Sequence, residues 1–286
     1  KDWARTSQWV QKAQAAGSNS AQLKQLQAYV QSQSGDYSAI AKEAAAAVAA
    51  AEQAGRKPDE GDLLRLADAQ QRTGQTQARA ATLDKLLAHY PKKEYWSILL
   101  GNLPRKSGFS GRFSLDLLRL RLATGNLTKA EDYMELAQLA LQAGYPAEGK
   151  AVVDKGFASG ALGTGAEGER HKRLRDLAVK AEAESKAAIE KEAQEAAAMK
   201  DGNALLQVGY AYVTMGQYDK GIALIEKGIA KGGLKRPEDA KLHLGLALLQ
   251  SNKNKAKAVQ TLRSVQGNDG GADLGRLWAV YASQQS

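Results

Sequence analysis

Apolar side chains along this chain recur at the three-to-four-residue spacing of amphipathic helices, interrupted at intervals by glycine and polar turns. The clearest stretch runs from Gly202 to Leu234, GNALLQVGYAYVTMGQYDKGIALIEKGIAKGGL. Two amphipathic patterns meet there at a turn around Gly216. Small residues at Gly209, Gly221 and Gly228 accompany rings at Tyr212 and Tyr218. This order predicts two antiparallel helices in close approach, with a large ring filling each end of the contact.

The remaining segments follow the same rule. Asp2–Ala16 predicts a helix carrying Trp3, Trp9 and Val10, followed by a loop over Gly17–Ser20 in which Ser20 suits an N-cap. Ala21–Gln33 and Tyr37–Ala54 predict a pair turning at Gly35 and Asp36, and the alanine run in the second helix reads as close packing. Pro58 suits the first turn of a helix, and Leu63, Leu66, Leu83 and Leu86 mark a pair that ends at Pro91. Gly101–Gly111 breaks the pattern with Pro104 and reads as an inserted loop. Leu115–Ala123 predicts a helix, with a strand as the alternative. Lys129–Ala143 and Pro146–Ala158 predict two more helices. Their register is open: Ala130 closes a unit begun near Ser114, or Ala137 opens one that uses Gly144, Gly149 and Gly156. Glu167–Lys200, charged and alanine-rich, predicts one or two solvated helices bridging front and rear, with Ser185 as a breakpoint in the second case. Pro237–Gln266 predicts a further pair, Gly267–Gly271 a loop, and Asp273–Ser283 a closing helix.

Composition sharpens this picture. Proline is scarce, with 5 residues, and aromatics make up 6% of a chain whose 43% apolar content leans on alanine, which favours tightly packed helices over a sheet. There is no cysteine, which excludes disulfides and thiolate metal sites. No apolar run reaches the ~18 residues that span a bilayer. The net charge of +9 brings nucleic acid or an anionic surface into consideration, yet the bases are spread along the chain beside acids, as at Lys180 and Glu182, so nucleic acid is not favoured. The first residues, Lys1 to Trp3, lack an initiator methionine, which suggests that an upstream segment has been removed.

Candidate chemistry does not assemble. Gly144–Ala151 differs from a phosphate loop in having Ala151 where a hydroxyl holds magnesium, and it follows a helical pattern rather than a strand. Gly163–Gly168 matches G-x-G-x-x-G without a surrounding βαβ unit. His89, His171 and His243 lack partners at metal-ligand spacing. We therefore expect no catalytic residue, no metal and no cofactor.

The stretch 202–234 resembles a tetratricopeptide (TPR) repeat, and Gly209 recurs as Gly245 at close to that family's period of about 34 residues. The resemblance implies an all-α, TPR-like α-solenoid, a right-handed superhelix of antiparallel helix pairs, with helical caps at its ends. It divides the chain into N-terminal capping or degenerate repeats over 1–57, repeats over 58–162 with the loop at 101–111, a charged bridge over 163–201, and repeats with a closing helix over 202–286. In this family the first helices line a groove that commonly binds peptides. Carried over, the inner positions are Glu131, Met134 and Gln138 in the middle unit, Asn203, Leu206, Tyr210, Val213 and Thr214 in the best repeat, and Leu242, His243, Leu246 and Gln250 in the next. Tyr210 and Met134 are the expected anchors. The two-carboxylate clamp set of TPR co-chaperones is not found. The whole chain also resembles exported bacterial TPR proteins, through Lys93–Trp96, Leu122–Gly125, Ala130–Met134 and Lys231–Gly245. That resemblance implies a periplasmic protein with its leader removed, the cytoplasm being the alternative. The expected function is a non-enzymatic scaffold binding another protein or peptide. The alternatives are a module that self-associates through its termini or through Arg112–Leu122, and a binder of anionic polymers through Arg170–Arg175.

Overall fold

The computed structural model describes residues 3–18 and 20–285, so the expected helix start at Asp2 and Asn19 of the first loop lie outside the described residues. The described residues form helices and no strand, in two compact units that divide between Tyr95 and Trp96.

The first unit holds α1 (Trp3–Ala15), α2 (Ala21–Ser34), α3 (Tyr37–Gln53), α4 (Glu60–Arg72), α5 (Thr76–His89) and the start of α6 (Lys93–Asn102). Each of α1 to α4 packs on the next in sequence. Ser20 caps α2 as expected, and the side chains of Asp36 and Asp59 likewise accept a backbone N–H in the first turn of the helix that follows. Pro58 is not in the first turn of its helix: α4 begins at Glu60, and Pro58 precedes the cap Asp59. Ile40, Ala41, Ala44 and Val48 form the buried face of α3, while Ala45, Ala46, Ala49 and Ala50 are exposed, so the expected close packing holds on one face of the alanine run and not along all of it. A buried hydrogen bond from the Thr82 hydroxyl to Gln70 Oε1, 2.9 Å long, joins α5 to α4.

The second unit continues with α7 (Ser114–Ala123), α8 (Ala130–Gln142), α9 (Pro146–Ala158), α10 (Gly168–Ala198), α11 (Asn203–Thr214), α12 (Tyr218–Lys231), α13 (Pro237–Ser251), α14 (Lys255–Arg263) and α15 (Gly271–Gln284). α8/α9, α11/α12 and α13/α14 are helix pairs, α10 packs on α8, α9 and α11, and α15 packs on α14 and α13. This is an all-α solenoid of helix pairs. In α11/α12 the glycines do what their spacing predicted: a Cβ on Gly221 would lie 2.6 Å from the carbonyl oxygen of Gly209 and 2.6 Å from Val213 Cγ2. Only a residue without a side chain permits that crossing. No helix among the described residues is long and apolar enough to cross a membrane.

Two open alternatives are decided here. α10 runs unbroken through Ser185 for 31 residues. The strand alternative for 115–123 fails as well, because the segment is a helix buried nearly all round, with Leu115 to Leu120 inaccessible. The glycine-rich segment before α7 is no free loop. Its Ser110 N–H donates to the carbonyl of Asp269 at 2.8 Å, Lys106 pairs with Asp273 at 2.7 Å, and Arg112 pairs with Asp239 and Asp269. The Trp96 ring meets Tyr281 edge-on, and the Phe113 ring lies against Gly271. The beginning of this unit is thus fastened to its end.

Candidate functional site

α7 carries two charges three residues apart inside a leucine-rich helix, and both are buried. Burying an ion is tolerated only when other groups replace its water. Arg119 achieves this with a full set of partners: Nη1 donates to Asp116 Oδ1 at 2.7 Å, while Nε and Nη2 form a fork on Glu148 of α9 at 2.7 and 2.6 Å. Its guanidinium lies 4.8 Å from the Tyr210 ring and 5.5 Å from the Tyr145 ring. Asp116 also meets His243 of α13, whose Nε2 is 3.3 Å from Oδ1. The Tyr210 ring contacts His243, with centroids 4.9 Å apart, and Tyr145 at 5.1 Å. One buried cluster therefore joins α7 to α9, α11 and α13.

The electrostatics follow from these contacts. Burial pushes the Asp116 carboxyl up, but the charges and hydrogen bonds of His243 and Arg119 outweigh it and hold it at about 2. Burial works against the charge of Arg119, and Glu148, Tyr210 and Asp116 more than compensate, so its pKa is raised. Burial pushes the Tyr145 phenol up to about 12 and raises that of Tyr210 too. The Tyr210 hydroxyl is buried without a hydrogen-bond partner.

This cluster changes what the expected groove residues are. Tyr210 is 1% exposed and packs on the Arg119 guanidinium, so it offers no anchor to a guest. Met134, Val213, Leu242 and Leu246 are buried as well. Their helix faces are covered from within the protein, and the expectation that these five residues are accessible is corrected. Thr214 turns its hydroxyl back onto the carbonyl of Ala211 in its own helix. Gln250 is exposed. Exposed Glu131 and Gln138 border a concavity of about 680 Å³ that has Met134 in its wall, together with Glu167, Arg170 and His171. His171 is itself buried, and its Nδ1 accepts the Gly163 N–H at 3.1 Å.

Asn203, Leu206 and His243 come together at a second opening. It holds about 350 Å³ between α11 and α13, with Tyr145 and Gln207 in its wall and Lys235 and Arg236 at its rim. Gln207 is fixed there, accepting from the Tyr145 hydroxyl at 3.2 Å and donating to the Ala143 carbonyl. Asn203 braces the rim loop: its Oδ1 accepts the Lys235 N–H at 3.0 Å and its Nδ2 donates to the Gly233 carbonyl at 3.1 Å. Asp116, Arg119, Glu148, Tyr145, Lys235 and Arg236 were not among the expected site residues. Asp116 and Arg119 had one visible signal, opposite charges at i and i+3 within a run of leucines.

A model of the tetratricopeptide repeat family matches residues 63–93 and 239–269. The chain carries tetratricopeptide repeats. The first match covers most of α4 and all of α5; the second covers most of α13, α14 and the loop after it. The α11/α12 pair, with the closest glycine crossing, lies between the matched segments. No curated protein matches the chain. Tetratricopeptide repeats generally mediate contacts between proteins and are typically non-catalytic modules. Of the surfaces named for the alternative functions, the termini keep exposed rings such as Trp9, and the other two make contacts within the chain. Arg112–Leu122 is tied into its own unit, and in the 170–175 run Arg170, Lys172 and Arg175 pair with Glu167, Glu169 and Asp154.

Proposed function

We propose that the chain is a non-catalytic scaffold that holds an extended segment of another protein in the opening between α11 and α13. The observation that carries this reading is the opening itself. It lies where two tetratricopeptide-like pairs meet, half-exposed Leu206 stands beside a fixed amide and a half-buried imidazole, and α7 leaves it uncovered. Apolar contact area beside oriented polar groups is the usual composition of a peptide site. The opening forms over a rigid floor, since the buried Arg119 cluster locks the helices on either side, and a site formed in advance lowers the ordering cost of binding.

Leu206→Arg tests the reading. The residue stands at the lip of the opening, so a longer charged side chain fills it from the solvent side without entering the core. On an array of overlapping peptides drawn from envelope and cytosolic proteins, the wild type is expected to bind a subset that the variant loses, while circular dichroism and the melting temperature stay unchanged. Equal binding by a folded variant removes the opening from the function.

A further inference from the structure

The rim of this opening carries two cations, Lys235 and Arg236, that no described carboxylate meets at ion-pair distance. Their neighbours are paired: Lys241 with Glu238 at 2.7 Å and Arg112 with Asp239 at 3.0 Å. The nearby acids make their direct contacts with other groups, and Asp201 feels Lys235 only at longer range. Asp239 is held by Arg112, and the Asp201 carboxylate accepts the backbone and side-chain N–H groups of Asn203 at 2.9 and 2.8 Å. Lys235 and Arg236 also sit on a loop held in place. Gly202 N–H donates to the Gly232 carbonyl at 2.9 Å, Asn203 bonds both Gly233 and Lys235, and Gly232 and Gly233 take left-handed φ values of 75° and 66°. Next to the two cations the wall is mixed: Leu206, Ala240 and the Tyr145 and His243 rings stand beside Asn203, Gln207 and Asp239, whose carboxylate is held by Arg112.

We propose, on the basis of the segment-binding reading above, that the partner segment is acidic: an Asp or Glu side chain meets Lys235 and Arg236, and an adjacent aliphatic or aromatic residue covers Leu206. A carboxylate supplies the direct ion pair that both cations lack, and the guanidinium of Arg236 matches its planar geometry. The apolar part of the wall favours a peptide over a free inorganic anion, which has no use for Leu206 or Ala240. The braced loop presents both cations at little ordering cost.

Selection of a randomised phage-displayed peptide library on the full chain tests this. The expected peptides carry an acid beside an aliphatic or aromatic residue. Lys235→Glu/Arg236→Glu is expected to weaken them by roughly tenfold or more, and added salt to weaken wild-type binding, as charge pairing at an exposed rim requires. Peptides with the acid replaced by Lys regain affinity for the charge-reversed variant. Inorganic phosphate at the peptide's concentration leaves binding intact. If the selected peptides lack acids, or bind the reversed variant equally, or are displaced by phosphate, the acidic partner is wrong while segment binding stands. If no peptide is enriched, both readings fall.

Discussion

α7 and α10 carry the same kind of interaction in opposite surroundings. Asp116 and Arg119 of α7 form an i,i+3 pair whose side chains are 5% and 6% exposed. Lys180 and Glu184 of α10 form an i,i+4 pair whose side chains are 76% and 68% exposed. In water such a pair exchanges good solvation for modest attraction and loses side-chain freedom, so it contributes little. Out of water each charge depends wholly on the protein, and removing one partner strands the others. α10 uses its charges to remain a soluble helix for 31 residues; α7 uses two charges to fasten three neighbouring helices.

Breaking the buried side has the largest expected effect. Arg119→Leu leaves Asp116 and Glu148 without their shared cation and is expected to cost about 3–5 kcal/mol in urea denaturation. A loss below about 1 kcal/mol would erase the contrast with an exposed pair. Acid titration sharpens the comparison at a smaller scale. The folded Asp116 carboxyl sits at about 2 against an ordinary 3.8, so its contribution is fully present above about pH 4 and disappears as pH falls towards 2. The shift corresponds to about 2 kcal/mol. In the variant Asp116→Asn the acid limb of the stability profile should lose that component; an unchanged limb would show that Asp116 is not held low. Smallest of all is the exposed pair. A double-mutant cycle with Lys180→Ala and Glu184→Ala should show no measurable coupling, and a clear coupling there would mean that burial is not what separates the two helices.

Local signals were legible in the sequence because they act within a few residues. Ser20 caps its helix where its position indicated, Gly35 and Asp36 turn between α2 and α3, Pro146 and Pro237 open helices, and Gly216 turns between α11 and α12 with a φ of 78°. The crossing at Gly209 and Gly221 was readable for the same reason: both helices belong to one short hairpin. The place of α7 was not readable. Its leucines fit any buried element, and its partners Glu148, Tyr210 and His243 lie 29 to 127 residues away in sequence or on helices of their own. A periodic pattern says which face of a helix avoids water, and not which helix will cover it. The inner positions were assigned as though the hollow were empty, and that is why Tyr210 was named as an anchor. Lys235 and Arg236 carry no signal in the sequence, because a surface cation without an ion-pair partner looks like a paired one until its neighbours' carboxylates are located in space.

The bond between Lys106 and Asp273, 167 residues apart, bears on the order of assembly. Most stacks of repeats grow from adjacent units, each new pair settling on the last. In this unit α7 packs on α8, its neighbour in sequence, but its seat is completed only by α13 and α15, which come later in the chain. Closing such a long loop belongs late in folding. A segment translated early is thereby among the last to be fully covered, and until then some of its leucines remain open to any other apolar surface that arrives first.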